Sequence, residues 1–484
     1  MRRLTSLMVL SFTAALATAC TSEKIVYRDG PNFAQPTTAA ANFVGYSDET
    51  AKKTVCGSCH VEKQGLWAQT KHASAWKDLS SSGSSQSYCE PCHTVGQNGN
   101  SATVDGGFQT TKDARYHDVQ CESCHGAGLT HVTSPGLTNQ PLASIKADTG
   151  LKNGCGECHS GTHNPFLDEW KVSGHSQTWE ASHNSTDPYC QSCHTGQGAL
   201  SAWGVTSNYV EKGSTAMLPA VCAVCHDPHG SPNAAQLRFP INAASTEKNL
   251  CTKCHQRRGT SADAIAMGRN SVHSPEGPTL FGQAGWFPPG MSASDSIISS
   301  HGSTVKNPNL CATCHVQKFQ GTDAVTKQAV FSTGHRFLAT PCVDASGLPT
   351  KTQTCAVTAQ TFRSCVSGSC HGTEALARNA FNTATARVSL LSTTLNGLIA
   401  QAKLGSKKAE CTFPNANYGT CLGAQFNVSV ATKVGGIVHN PFLIEQLMIA
   451  TINQMKKDYN LTVAADVDLT PLLRKGSATA GGGH

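Results

Sequence analysis

Nine short stretches of this chain each hold two cysteines and a histidine close enough together to grip one ligand. Eight have the form Cys-x-x-Cys-His. They are Cys56/Cys59/His60, Cys89/Cys92/His93, Cys121/Cys124/His125, Cys155/Cys158/His159, Cys190/Cys193/His194, Cys222/Cys225/His226, Cys251/Cys254/His255 and Cys311/Cys314/His315. Two thiols at this spacing can form thioethers with the two vinyl groups of a porphyrin. A histidine directly after the second cysteine can then turn its imidazole onto the iron. Zinc ribbons, iron–sulfur clusters and disulfide scaffolds also use cysteine pairs, but none needs a histidine after every pair. The pattern predicts eight covalent haem c groups. A ninth is expected at Cys365-Val-Ser-Gly-Ser-Cys370-His371, where four residues part the cysteines. Cys355 is an alternative first cysteine for a wider motif, but the shorter loop closes at less entropic cost. A disulfide at Cys365, with Cys370-His371 incidental, is the other alternative.

The remaining cysteines and histidines fit the same account. Of 23 cysteines, nine motifs leave Cys20, Cys342, Cys355, Cys411 and Cys421. The last four form two local pairs that an oxidising compartment would bridge, with buried free thiols as the alternative. Of 21 histidines, twelve lie outside the motifs: His72, His117, His131, His163, His175, His183, His229, His273, His301, His335, His439 and His484. All but His484, which ends a Gly-rich tail, are candidate sixth ligands. Their number suggests imidazole on both faces of most irons, an arrangement that passes electrons and leaves no position for a substrate. His439, in Val438-His439-Asn440-Pro441-Phe442, is expected to cap the ninth haem, and His-Asn-Pro recurs at His163-Asn164-Pro165.

The elements that must position these groups repeat. The motif starts 56, 89 and 121 recur at 155, 190 and 222, about 100 residues on. Trp67-x4-His72-x3-Trp76 recurs as Trp170-x4-His175-x3-Trp179, and Tyr88 and Tyr189 precede the second and fifth motifs. This predicts a three-haem module at 46–148, its duplicate at 149–247 and a stretched, divergent third at 248–372. The Gly- and Pro-rich insert from His273 to Gly290 is expected to be loop. Beyond it, 373–474 is expected to be helical and 475–484 a flexible tail. Ala377, Phe381, Ala384, Val388, Leu391, Leu395 and Leu398 alternate spacings of four and three, the stripe of an amphipathic helix. A second helix is expected at 441–457, pairing antiparallel with the first around the last haem, and Cys411–Cys421 would pin the loop between them. Elsewhere the fold expected is mainly coil with short α-helices wrapped around covalent haems, and little β-structure.

Composition agrees. Aromatics are 6% and charged residues 14%, too little apolar bulk for an ordinary large core without buried porphyrin. Arg2, Arg3 and the apolar run Leu4 to Leu16 read as an export signal over 1–19. Leu16-Ala17-Thr18-Ala19-Cys20 suits either plain cleavage or a lipobox. Lipid on Cys20 is expected, because a bare thiol at a mature N-terminus would be anomalous. A polar, membrane-anchored linker would then occupy 20–45. The net charge of +6 comes without a basic run or stripe, so nucleic acid is not an expected partner.

Cys56-Gly-Ser-Cys59-His60 followed by Trp67 and His72, and Cys222-Ala-Val-Cys225-His226-Asp-Pro-His229-Gly, resemble the multihaem c-type cytochrome superfamily, the latter its doubled-CxxCH modules. With the lipobox, the chain resembles outer-membrane or cell-surface multihaem lipoprotein cytochromes of metal-reducing bacteria. The resemblance implies an electron-transfer conduit at the cell envelope. Its partners would be other cytochromes or electron carriers, with metal oxides or soluble shuttles as further acceptors. Two alternatives stand beside it. One is a reductase of a small inorganic nitrogen or sulfur compound, as in octahaem enzymes of the superfamily, although no CxxCK motif is present. The other is a subunit of a cytochrome filament.

Overall fold

The computed structural model describes residues 40–473, apart from 148–153, 162, 294–296, 323–324, 353, 368–369, 416–417 and 434. The predicted signal peptide, Cys20, most of the linker, His484 and the tail lie outside the described residues.

Short helices and turns dominate from 40 to about 370. The elements used below are β1 (Tyr46–Asp48), β2 (Lys53–Thr54), α1 (Val61–Trp67), α2 (Phe166–Lys171), α3 (Glu276–Leu280), β3 (Phe319–Thr322), β4 (Ala329–Ser332), α4 (Glu374–Leu404), α5 (Thr420–Thr432) and α6 (Pro441–Tyr459). β1–β2 and β3–β4 are antiparallel pairs, the second in register from Phe319↔Ser332 to Thr322↔Ala329. They are the only sheets among the described residues. The Gly/Pro insert is not all loop, because α3 lies within it and buries Gly277, Pro278, Thr279 and Leu280.

The motifs make single helical turns, and the reason is local. In the first, fourth, sixth and seventh motifs the histidine N–H bonds the carbonyl of the first cysteine, at 3.0–3.1 Å. That turn puts two thiols and an imidazole on adjoining faces. The widened motif closes the same bond, His371 N–H to Cys365 C=O at 3.1 Å, despite its two extra residues.

The duplicated segments repeat their tertiary bonds. Trp67 at the end of α1 donates its indole N–H to Val119 C=O, and Trp170 in α2 donates to Ala220 C=O, both at 2.9 Å. His93 reaches Ala75 C=O and His194 reaches Thr178 C=O, at 2.9 and 2.8 Å. Buried carboxylates tie distant segments together. Glu122 accepts the N–H groups of Val44, Gly45 and Gly128. Burial pushes its carboxyl up to about 7 against those three donors. Glu169 of α2 accepts from Thr333 N–H, Thr333 Oγ1 and His335 N–H, all at 2.8 Å.

The largest apolar core is C-terminal. α4 starts on a Thr373 cap and lays Val388, Leu391, Leu395 and Leu398 against Phe426 and Val430 of α5 and Ile444, Met448 and Ile452 of α6. The predicted stripe is therefore the packed face. α5, which the sequence did not announce, makes this a three-helix unit. Cys411–Cys421 joins the loop after α4 to α5, and Cys342–Cys355 closes the other predicted bridge. That bridge removes Cys355 from the widened motif and leaves Cys365 as the partner of Cys370.

Candidate haem centres

Sites 1 to 9 below are the nine motifs in chain order. At eight of them the motif histidine faces a histidine from elsewhere in the chain. The pairs are His60–His131, His159–His72, His125–His229, His255–His175, His194–His273, His226–His335, His371–His301 and His315–His439. Their ring centres lie 6.0–6.4 Å apart. Iron–nitrogen bonds of about 2 Å on either side, with each ring centre about 1.1 Å beyond its nitrogen, would put ring centres about 6.2 Å apart. Each pair thus leaves room for one iron, and every pair joins one motif histidine to one outside the motifs. Haem c fits these residues. Among the described residues no cluster of three or more His, Cys, Asp and Glu converges on a metal, as a zinc ribbon would require.

The rings are held in the ligating form. Burial, with a facing imidazole, lowers His72, His175 and His439 to about 4, so each is neutral at physiological pH. The same causes lower His60, His335 and His371, and burial with the neighbouring His226 and His93 lowers His159. Nδ1 of His93, His125, His194, His226 and His315 each reaches a backbone carbonyl at 2.6–2.9 Å, which leaves Nε2 for iron. His255 differs. Burial acts to lower it, but the hydrogen bond and charge of Glu276 lift it instead.

Four candidates fall elsewhere. His439 does not face His371, as expected, but His315, because the turn Gly436–His439 packs against α3 on the side of site 8. His117 stacks on Trp76 at 4.7 Å and bonds Glu49 at 2.7 Å. His163 and His183 are exposed. Among the described residues no imidazole faces His93. The positioning residues Glu169, Phe166 and Phe337 carry no sequence signal. His159, Phe166, His335, Phe337 and His175 form a continuous run of ring contacts, each between 4.3 and 5.6 Å.

The cysteines show which sites adjoin. Cys56 and Cys121, Cys92 and Cys158, Cys155 and Cys222, Cys193 and Cys254, and Cys251 and Cys311 are near enough for each thiol to perturb the other. Cys124 and Cys155, Cys225 and Cys251, and Cys314 and Cys365 lie within electrostatic reach. Other contacts agree. Thr54 beside site 1 touches Cys121 at 3.7 Å. Asn100 and Gly99 tie the backbone of site 3 to Glu157 of site 4. Arg257 stacks over Tyr189 at 4.3 Å, joining sites 7 and 5. His301 bonds Val438 C=O, next to His439, at 2.7 Å, joining sites 9 and 8.

Two family models match parts of the chain: "Cytochrome c554 and c-prime" over residues 55–126, and "Doubled CXXCH motif" over residues 217–260. C-type polyheme cytochrome OmcC of Geobacter sulfurreducens is 25% identical over 138 residues, which are 26% of this chain and 18% of that protein. The matched stretch thus spans less than a fifth of that relative's length. The crystal structure of outer cell wall cytochrome OcwA aligns with 76% of this chain and 75% of its own, at 19% identity and a TM-score of 0.47. The repeated Cys–Cys–His turns, the facing imidazoles and the two matching family models agree: the chain is a multihaem c-type cytochrome.

Proposed function

We propose that the chain is an electron conduit holding nine haems, with its attachment sites in contact in the order 1–3–4–6–7–8–9, and with site 2 set beside site 4 and site 5 beside site 7. The observation that carries this is the unbroken series of neighbouring cysteines from Cys56 to Cys365. Haem c supplies iron that takes up and gives back one electron. The chain covers, spaces and ligates each group, and so sets its potential and its reach.

On the same contacts we propose a different arrangement of the third module. Cys251–Cys311 repeats the Cys56–Cys121 and Cys155–Cys222 relation, so site 8 takes the third place of its set and the middle place is missing. Site 9 then begins a further unit capped by the α4–α6 bundle.

The donor and acceptor are proposed to be other cytochromes or carriers, with metal oxides or soluble shuttles as terminal acceptors. Export, with lipid on Cys20 at the outer membrane, is proposed on residues 1–20; among the described residues no helix is long and apolar enough to cross a membrane. One observation favours the reductase alternative at one site: His93 faces no described imidazole, so a small ligand could reach the iron at site 2.

Native mass spectrometry tests the haem complement. The mature chain should carry nine haems and Cys365→Ser eight. Eight haems in both would remove site 9 from the path.

A further inference from the structure

Five motif histidines rest their Nδ1 on a neutral backbone carbonyl. His255, at site 7, instead meets the Glu276 carboxylate at 3.4 Å. This contact is built by the fold. Glu276 opens α3, and Gly277 N–H bonds His255 C=O at 2.9 Å, clamping the start of that helix to the motif turn. A Cβ on residue 277 would lie 2.5 Å from Thr252 Cγ2 and 2.9 Å from His255 O. Only glycine lets α3 come this close, and the closeness is what aims Glu276 at the ring. Site 7 is also where three neighbours meet, through Cys225, Cys311 and Cys193.

We propose that Glu276 is a positioning residue that lowers the reduction potential of the site 7 haem below that of the carbonyl-held sites. This rests on the haem sites proposed above. A carboxylate accepting from Nδ1–H gives the imidazole imidazolate character, makes it a stronger donor to iron and favours the ferric state. The step it governs is one electron passing from a ferrous neighbour to ferric site 7. The neighbour becomes ferric, site 7 becomes ferrous, and the proton stays between Nδ1 and Glu276. A junction of low potential does not hold the electron, which moves on to whichever neighbour is oxidised.

The test is a spectroscopic redox titration of the full holoprotein, with haem counted separately by its alkaline pyridine spectrum. Glu276→Gln, which keeps the shape and loses the charge, should move one centre to more positive potential and leave the others in place at unchanged haem content. Glu276→Asp, whose carboxylate stands one methylene further from the ring, should move the same centre in the same direction. Gly277→Ala, which pushes α3 off the turn while keeping the carboxylate, should move the same centre in the same direction. It decides the matter if Glu276→Gln loses a haem. Curves that superimpose on wild type for both Glu276→Gln and Gly277→Ala would overturn the proposal. An unchanged haem count in these cases leaves the haem sites standing and isolates the failure to Glu276.

Discussion

An imidazole binds iron through a nitrogen that carries no proton, and burial keeps His72, His175 and His439 in that form. At this scale the sequence was informative about chemistry and silent about pairing. Every Cys–Cys–His group could be located from residue type and spacing. The supply of outside histidines was also visible. Which faces which was not, since each pair is closed by tertiary contacts between segments far apart in the chain. His439 shows the limit: its position beside α6 suggested the ninth site, and the turn carrying it packs toward the eighth. His439→Ala should therefore convert one low-spin haem to high spin in the electron paramagnetic resonance of the oxidised protein. That centre should vanish when Cys311 and Cys314 are also replaced by alanine, and should persist when Cys365 and Cys370 are. Because no described imidazole faces His93, carbon monoxide should bind about one haem per reduced chain and none in Cys89→Ala/Cys92→Ala. Titration to several equivalents in the wild type would contradict the eight facing pairs.

The elements divide by how their burial is patterned. α4 could be read directly, since one apolar stripe faces one core. α5 could not. It is buried on several sides, with Cys421, Leu422, Gly423, Ala424, Phe426, Asn427, Val430 and Ala431 all covered, so no stripe repeats at helical spacing. The bridge that anchors it was visible through cysteine parity. Replacing Cys411 and Cys421 by serine should destabilise the helical unit by roughly 2–4 kcal/mol. Denaturant unfolding followed by far-ultraviolet circular dichroism measures this, and an unchanged midpoint would contradict it. A second latch is polar. Arg387 of α4 bonds Glu445 of α6 at 2.7 Å with both side chains buried, and also holds the carbonyls of Asp468 and Thr470. Glu445 accepts Leu472 N–H and Leu473 N–H. Arg387→Met strands the carboxylate and should cost about 3–5 kcal/mol in the same assay. Full haem content in that variant would show that the latch serves the bundle and not haem attachment.

At the scale of the molecule, the repeat near 100 residues was legible because it is written in motif order and in the Trp–His–Trp spacing. What it builds was not legible. Neighbouring sets exchange ligands: His72 faces His159, His229 faces His125 and His175 faces His255. Such an exchange fixes one set against the next, which isolated modules on a string would not achieve. The order proposed from the neighbouring cysteines separates sites in line from sites to one side, and that difference gives the central claim its most direct test. Single-molecule conductance of the holoprotein should be compared between two variants, each missing one haem. Cys222→Ala/Cys225→Ala empties site 6, which the proposed order puts between sites 4 and 7. Cys190→Ala/Cys193→Ala empties site 5, which lies beside it. A loss of about tenfold or more, equivalent to about 1.4 kcal/mol on the limiting transfer step, is expected for the first, and near wild-type current for the second. Equal currents in the two variants would contradict a single ordered path through the chain.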